Sequence, residues 1–228
     1  MNVKENYQQI RSNIEEICQR CGRNPDDIHI IAVTKYVSVD RANAALEAGV
    51  IHIGENRDEG LNMKHEELGE KATWHFIGSL QTRKVKQIIE KVDYIHSLDR
   101  LSLAIEINKR ATKPIKCFIQ VNVSGEESKH GISPGQVAQF VDELKQFEFI
   151  EIVGLMTMAP FTEDTKIIRT CFRKLKELQL EIQALSQLNA PCNELSMGMS
   201  NDYKIAIEEG ATFIRIGTAL VGNESRGV

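Results

Sequence analysis

The chain has 228 residues, 42% of them hydrophobic, enough for one sizeable core and within the range of an α/β barrel. A net charge of −4 leaves no basic footprint for nucleic acid or an anionic membrane, and no apolar run reaches the roughly 18 residues of a membrane helix. Five cysteines, an odd number scattered along the chain, argue against a disulfide framework and point to a reduced, cytoplasmic compartment. The polar start MNVKENYQQI lacks the apolar centre of a signal peptide.

Val3, Tyr7, Ile10, Ile14, Ile17 and Cys21 alternate at four- and three-residue steps, which predicts a helix over 3–21 with one apolar stripe. Cys18 and Cys21 form a lone C-x-x-C with no second pair to complete a zinc site, so they are expected to pack rather than bind metal. Gly22 and Pro25 end this helix. The nearly continuous apolar run 28–35, closing on Lys35, reads as a strand buried on both faces. From there strands and amphipathic helices alternate. The spacing predicts strands over 28–35, 50–55, 73–78, 94–97, 115–123, 150–158, 194–199 and 212–217. Helices are expected over 39–48, to about 68, and over 82–92, 100–110, 164–187 and 202–209. Residues 124–131 read as a polar loop. Ser133-Pro134-Gly135-Gln136 then opens a further helix in capping-box register.

Eight strands coupled to helices predict a parallel sheet, and eight is the number that closes a (β/α)8 barrel. The expected architecture is therefore α/β: one barrel domain over residues 1–228, with the N-terminal helix covering the outer face of the last strand. A doubly wound open sheet is the alternative.

In a barrel the C-terminal strand ends face one pocket. Those ends are Lys35, Glu55-Asn56, His75 to Gly78, Ser97, Asn122-Val123, Met156, Gly198-Met199-Ser200 and Arg215 to Thr218. A lysine at such an end is either a nucleophile favoured by burial or a side chain snorkelling to solvent. The small-residue turns after strands seven and eight suit a phosphate, although ordinary capping would also use them. Arg215, inside an apolar strand, needs an acceptor; a ligand or a salt bridge to Glu194 or Glu55 would provide one. A lysine, an arginine and a phosphate cradle suggest a phosphorylated aldehyde held as a Schiff base, with pyridoxal 5'-phosphate (PLP) the obvious candidate. The six histidines contain no H-x-H or H-E-x-x-H, and no G-x-G-x-x-G follows a strand.

Ala32-Val33-Thr34-Lys35, Gly54-Glu55-Asn56, His75-Phe76-Ile77-Gly78, Gly154 to Met158, Ser196 to Asp202 and Arg215-Ile216-Gly217 together resemble the pyridoxal phosphate homeostasis proteins. The resemblance is collinear over nearly the whole chain. It implies a fold similar to the barrel domain of alanine racemase, the fold-type III class of PLP proteins, and a role in intracellular vitamin B6 homeostasis. By position it implies that Lys35 forms the internal aldimine and that Ser200, Gly217 and Thr218 hold the phosphate. Arg215 would face the pyridine nitrogen, and Asn56 would contact the ring side of the cofactor. A permanent cation at that nitrogen disfavours its protonation and weakens the cofactor as an electron sink. The few residues after Gly217 leave no room for the β-domain that completes a racemase site, which favours a monomeric carrier, with apo PLP enzymes as possible partners.

The same residues admit two rival readings. A PLP-dependent racemase needs a second base near Lys35, for which His75 and Tyr36 are candidates, Tyr36 being expected to alternate away along the strand. A cofactor-free lysine aldolase needs a carboxylate at the pocket, for which Glu55 or Asp99 would serve.

Overall fold

The structure is a computed structural model, described here for residues 2–126 and 130–224. Eight parallel strands close into a barrel in chain order: β1 (His29–Val33), β2 (His52–Glu55), β3 (Thr73–Phe76), β4 (Tyr94–Leu98), β5 (Ile115–Gln120), β6 (Ile150–Met156), β7 (Glu194–Met199) and β8 (Phe213–Ile216). The closing pair is β8 with β1, in the register Ile31↔Arg215 and Ala32↔Ile216. Closure excludes the open sheet.

Outside the barrel lie α1 (Val3–Cys21), α2 (Val39–Glu47), α3 (Asp58–Leu68), α4 (Val85–Ile88), α5 (Leu101–Arg110), α6 (Val137–Glu143), α7 (Thr165–Ala184), α8 (Tyr203–Glu208) and α9 (Thr218–Val221). The α1 helix starts on Asn2, whose side chain accepts from the amides of Lys4 and Glu5, and stops at Gly22 with φ 69°. It packs against α2, α8 and α9, taking the place in the outer ring beside β8 and β1. Asn6 Nδ2 donates to the Leu220 carbonyl (2.9 Å) and Asn13 Nδ2 to the Tyr203 hydroxyl (3.0 Å). Cys18 is buried in this packing and Cys21 is exposed; neither is bonded to another cysteine.

Several expected elements end early. The helix expected over 82–92 is a 3-10 turn, Thr82–Lys84, followed by the single turn α4. The helix after Pro134 also begins with a 3-10 turn, and there the Ser133 hydroxyl donates to the Gln136 side chain (2.6 Å) instead of capping a backbone amide. The expected loop 124–131 lies partly outside the described residues.

Side chains divide into two layers. Ile30, Ala32, Ile53, Trp74, Phe76, Ile95, Ile119, Leu155, Leu195 and Ile214 are buried with the helices in the larger core. The barrel interior is packed differently, around the Phe213 ring. His29, His52, His75, Tyr94 and Phe118 have ring centroids 4.7–5.7 Å from it, and Ile31, Val153 and Met156 fill the rest. Aromatic and imidazole rings occupy the place that branched aliphatic residues usually take in such barrels.

Candidate functional site

Strand register decides which of the expected residues become neighbours. Met199 pairs with Arg215, Ala32 with Ile216, and Val33 with Gly54. The ends of β7, β8, β1 and β2 are therefore consecutive around the mouth. Ser200, Arg215, Gly217, Thr218, Lys35 and Asn56 all fall on this arc. A cavity of about 310 Å³ lined by Val123, Pro160, Lys166, Ile167 and Lys174 lies away from it, on the β5 and β6 side, and contains none of the six.

Lys35 does not end a strand as expected, and of its two readings the exposed one is observed. Strand β1 stops at Val33, and Lys35 and Tyr36 form an exposed turn. Tyr36 has φ 67°, a conformation costly for a bulky side chain. The alternation expected along a strand therefore fails here. Instead of pointing away, the Tyr36 ring lies 5.9 Å from Lys35 Nζ and 5.7 Å from the Arg57 guanidinium.

The turn is anchored from below by a network that sequence reasoning missed. Lys64, on α3, is 2% exposed; its Nζ donates to Glu55 Oε1 (2.8 Å) and to the Thr34 carbonyl (3.1 Å). The Thr34 hydroxyl donates to the same carboxylate oxygen (2.6 Å). Gly60 leaves room for this carboxylate, since a Cβ there would lie 2.7 Å from Glu55 Oε2. Glu55 is thus committed to Lys64 on the outer face of the barrel and is neither partner to Arg215 nor a pocket carboxylate. Asp99 is likewise paired, with Arg100 at 2.6 Å. The aldolase reading loses both its carboxylates.

Asn56 is half-buried in the bend after β2, pressed from behind by Gly78, where a Cβ would come within 2.3 Å of the Asn56 carbonyl oxygen. Ser200 is half-buried in the turn between β7 and α8. Asp202 holds that turn by accepting from the Met199 amide (2.5 Å). Gly217 is half-buried and Thr218 exposed at the start of α9; among the described residues, its chain neighbours apart, the atom nearest to the position a Gly217 Cβ would take is Val33 Cβ at 3.7 Å.

Arg215 is 5% exposed. One Nη1–H donates to the Ser196 hydroxyl (2.6 Å) and one Nη2–H to the Thr157 carbonyl (2.9 Å). The salt bridge to Glu194 or Glu55, the alternative to a ligand, is absent among the described residues, where only two of its five N–H groups are donated. Burial lowers its pKa to about 10, with the Asp202 charge opposing, so it remains a cation at neutral pH. A buried guanidinium with no bonded carboxylate favours an electron-rich ligand beside it.

His75, expected at the mouth, is instead fully buried inside the barrel with both ring nitrogens engaged. Burial drives its pKa well below the usual histidine range. It is unavailable as a second base.

Residues 6–225 match the family model described as alanine racemase, N-terminal domain. The sequence is 40% identical to the pyridoxal phosphate homeostasis protein of Aquifex aeolicus, covering 97% of this chain and 98% of that one. The chain belongs to the pyridoxal phosphate homeostasis protein family. Among solved structures of related proteins, PipY of Synechococcus elongatus with PLP bound superposes with a TM-score of 0.84. It is 30% identical, over 96% of this chain and 100% of that one. Alanine racemase of Clostridium difficile shares the fold, at 15% identity and a TM-score of 0.77, over 99% of this chain and 58% of that one. The expected barrel of the racemase type is therefore the observed one. No helix among the described residues is long and apolar enough to cross a membrane.

Proposed function

We propose that this chain, as one barrel domain, binds pyridoxal 5'-phosphate and acts in intracellular vitamin B6 homeostasis. The observation that carries the reading is Arg215: a buried cation with unused donors at the mouth of a barrel whose relative PipY has PLP bound. The donor set fits the cofactor. Lys35 is an exposed amine for the aldehyde, and Arg215 supplies hydrogen bonds to the pyridine nitrogen. Ser200, Gly217 and Thr218 supply a hydroxyl and turn amides for the phosphate, and Asn56 a contact to the ring. When bound, PLP supplies an aldehyde that condenses reversibly with primary amines. The protein's part is to retain it: Arg215 keeps positive charge beside the ring nitrogen, and the Glu55–Lys64–Thr34 network holds the turn that carries Lys35.

The absorbance spectrum of the protein reconstituted with PLP, before and after Lys35→Ala, tests this reading. We expect a visible band in the wild type that is lost in the variant. A band unchanged in Lys35→Ala would move the attachment to another amine, and wild-type protein that takes up no PLP would end the reading.

The reading extends to a cytoplasmic setting, consistent with five free thiols, to a monomeric state and to apo PLP enzymes as recipients. Light scattering checks the monomer, and reactivation of an apo-enzyme by the loaded protein checks delivery. A racemase-like reading keeps one supporting observation, the Tyr36 ring beside Lys35. Exchange of an amino acid's α-hydrogen with deuterium oxide, abolished by Tyr36→Phe, would favour it.

A further inference from the structure

Beneath Arg215 runs a chain of buried polar groups that the proposed function does not use. Ser196 Oγ lies 2.9 Å from His96 Nδ1, His96 Nε2 lies 2.9 Å from His75 Nδ1, and His75 Nε2 lies 2.9 Å from His52 Nδ1. Ser196, His75 and His96 are fully buried, and His52 is 9% exposed at the start of β2, on the opposite side of the barrel from the mouth. The chain thus crosses the barrel interior. Its members come from β2, β3, β4, β7 and β8, so only the closed fold assembles them.

The rings are held by packing as well as by hydrogen bonds. His75 stacks on Tyr94 at 4.4 Å and 7°, and His96 on Phe118 at 4.4 Å and 24°. Burial favours the neutral form of all three histidines; for His96 the nearby Arg215 charge acts in the same direction.

A neutral imidazole carries one donor and one acceptor, so the chain must have a direction. Arginine sets it, because a guanidinium can only donate. The Ser196 oxygen accepts from Arg215, and among the described residues its own proton then has one acceptor bonded to it, His96 Nδ1. His96 must therefore carry its proton on Nε2 and donate to His75, and His75 likewise to His52. The opposite direction would make Ser196 accept from both sides and leave its hydroxyl proton buried and unbonded, which is unfavourable.

We propose that His52, His75 and His96, all protonated on Nε2, form with Ser196 a one-way hydrogen-bond chain that holds the Arg215 guanidinium in place for its ligand, with His96 as the key positioning residue. The chain is a static prop and not a proton relay, since resetting it would require Arg215 to accept a hydrogen bond. The identity of that ligand rests on the PLP reading; the direction of the chain does not.

Two measurements separate these claims. Nitrogen-15 NMR of histidine-labelled, PLP-free protein at pH 7.5 reads the tautomers directly. The expected result is Nε2–H at His52, His75 and His96, with the His96 Nδ1 signal shifting in Ser196→Ala. A proton on His96 Nδ1 would overturn the proposal whether or not PLP binds. The second measurement compares PLP affinity in His96→Asn and His96→Leu. Asparagine keeps an acceptor near the Nδ1 position, whereas leucine keeps apolar volume alone. Positioning predicts that Leu weakens binding about tenfold while Asn stays within about threefold of wild type. A packing role predicts the reverse order, and that order would overturn the assignment of His96.

Discussion

Lys64 Nζ and Glu55 Oε1 lie 2.8 Å apart with both side chains 2% exposed, an ion pair sealed between β2 and α3 and bonded to Thr34, the residue before Lys35. A buried pair adds little net stability, because desolvation offsets the attraction, but removing one partner strands the other charge. Lys64→Met is therefore expected to cost roughly 3–5 kcal/mol in urea unfolding. Lys64→Met combined with Glu55→Gln should recover much of that loss, since no charge is left behind. Equal destabilisation of the single and double variants would show that the pair acts through packing and not through charge.

The buried histidines give stability a pH dependence of definite sign. Burial lowers the His52 pKa to about 4, with His29 acting in the same direction, Asp93 opposing and Lys116 a smaller contributor. The unfolded chain titrates near 6.5, so it binds the proton first as pH falls. Stability is then full above about pH 6.5 and declines as pH falls towards 4, by about 3 kcal/mol for this group alone. His75 and His96 shift in the same direction. Unfolding free energies at pH 7.5 and 4.5 should converge in His52→Asn relative to wild type. A variant as acid-sensitive as the wild type would place the titrating group elsewhere.

The eight strands were legible in the sequence because a parallel strand buried on both faces is a nearly unbroken apolar run, and β7 matches its expected bounds to the residue. Strand ends were harder to read. Nothing in Thr34-Lys35-Tyr36 marks the positive φ at Tyr36, so the run was expected to continue through Lys35 when it stops at Val33. Arg215 was recognisable as a cation in need of an acceptor, but not its partners, because Ser196 and Thr157 lie 19 and 58 residues away along the chain. The histidine chain escaped for the same reason. Its link from His96 to Ser196 spans 100 residues and exists only after closure, so no spacing rule reports it. Lys64 escaped because a polar helix conceals which of its charged residues turns inward.

Gly198 is the residue on which the Ser200 turn depends. Its φ is +92°, and a Cβ there would lie 2.6 Å from the Ala206 Cβ and 2.9 Å from the Tyr203 Cα, both on α8. Alanine at this position would combine backbone strain with overlap and push α8 away from β7, opening the Met199–Asp202 turn. We expect Gly198→Ala to destabilise the fold by about 2–4 kcal/mol and to weaken PLP binding along with it. Gly135→Ala is the control: nothing lies within 4 Å of its Cβ position and its φ is not positive. That substitution should leave PLP binding unchanged and stability unchanged or raised by about 0.4–1 kcal/mol. Thermal unfolding and PLP titration of the two variants decide the matter, because equal behaviour would mean that the β7–α8 contact does not shape the mouth.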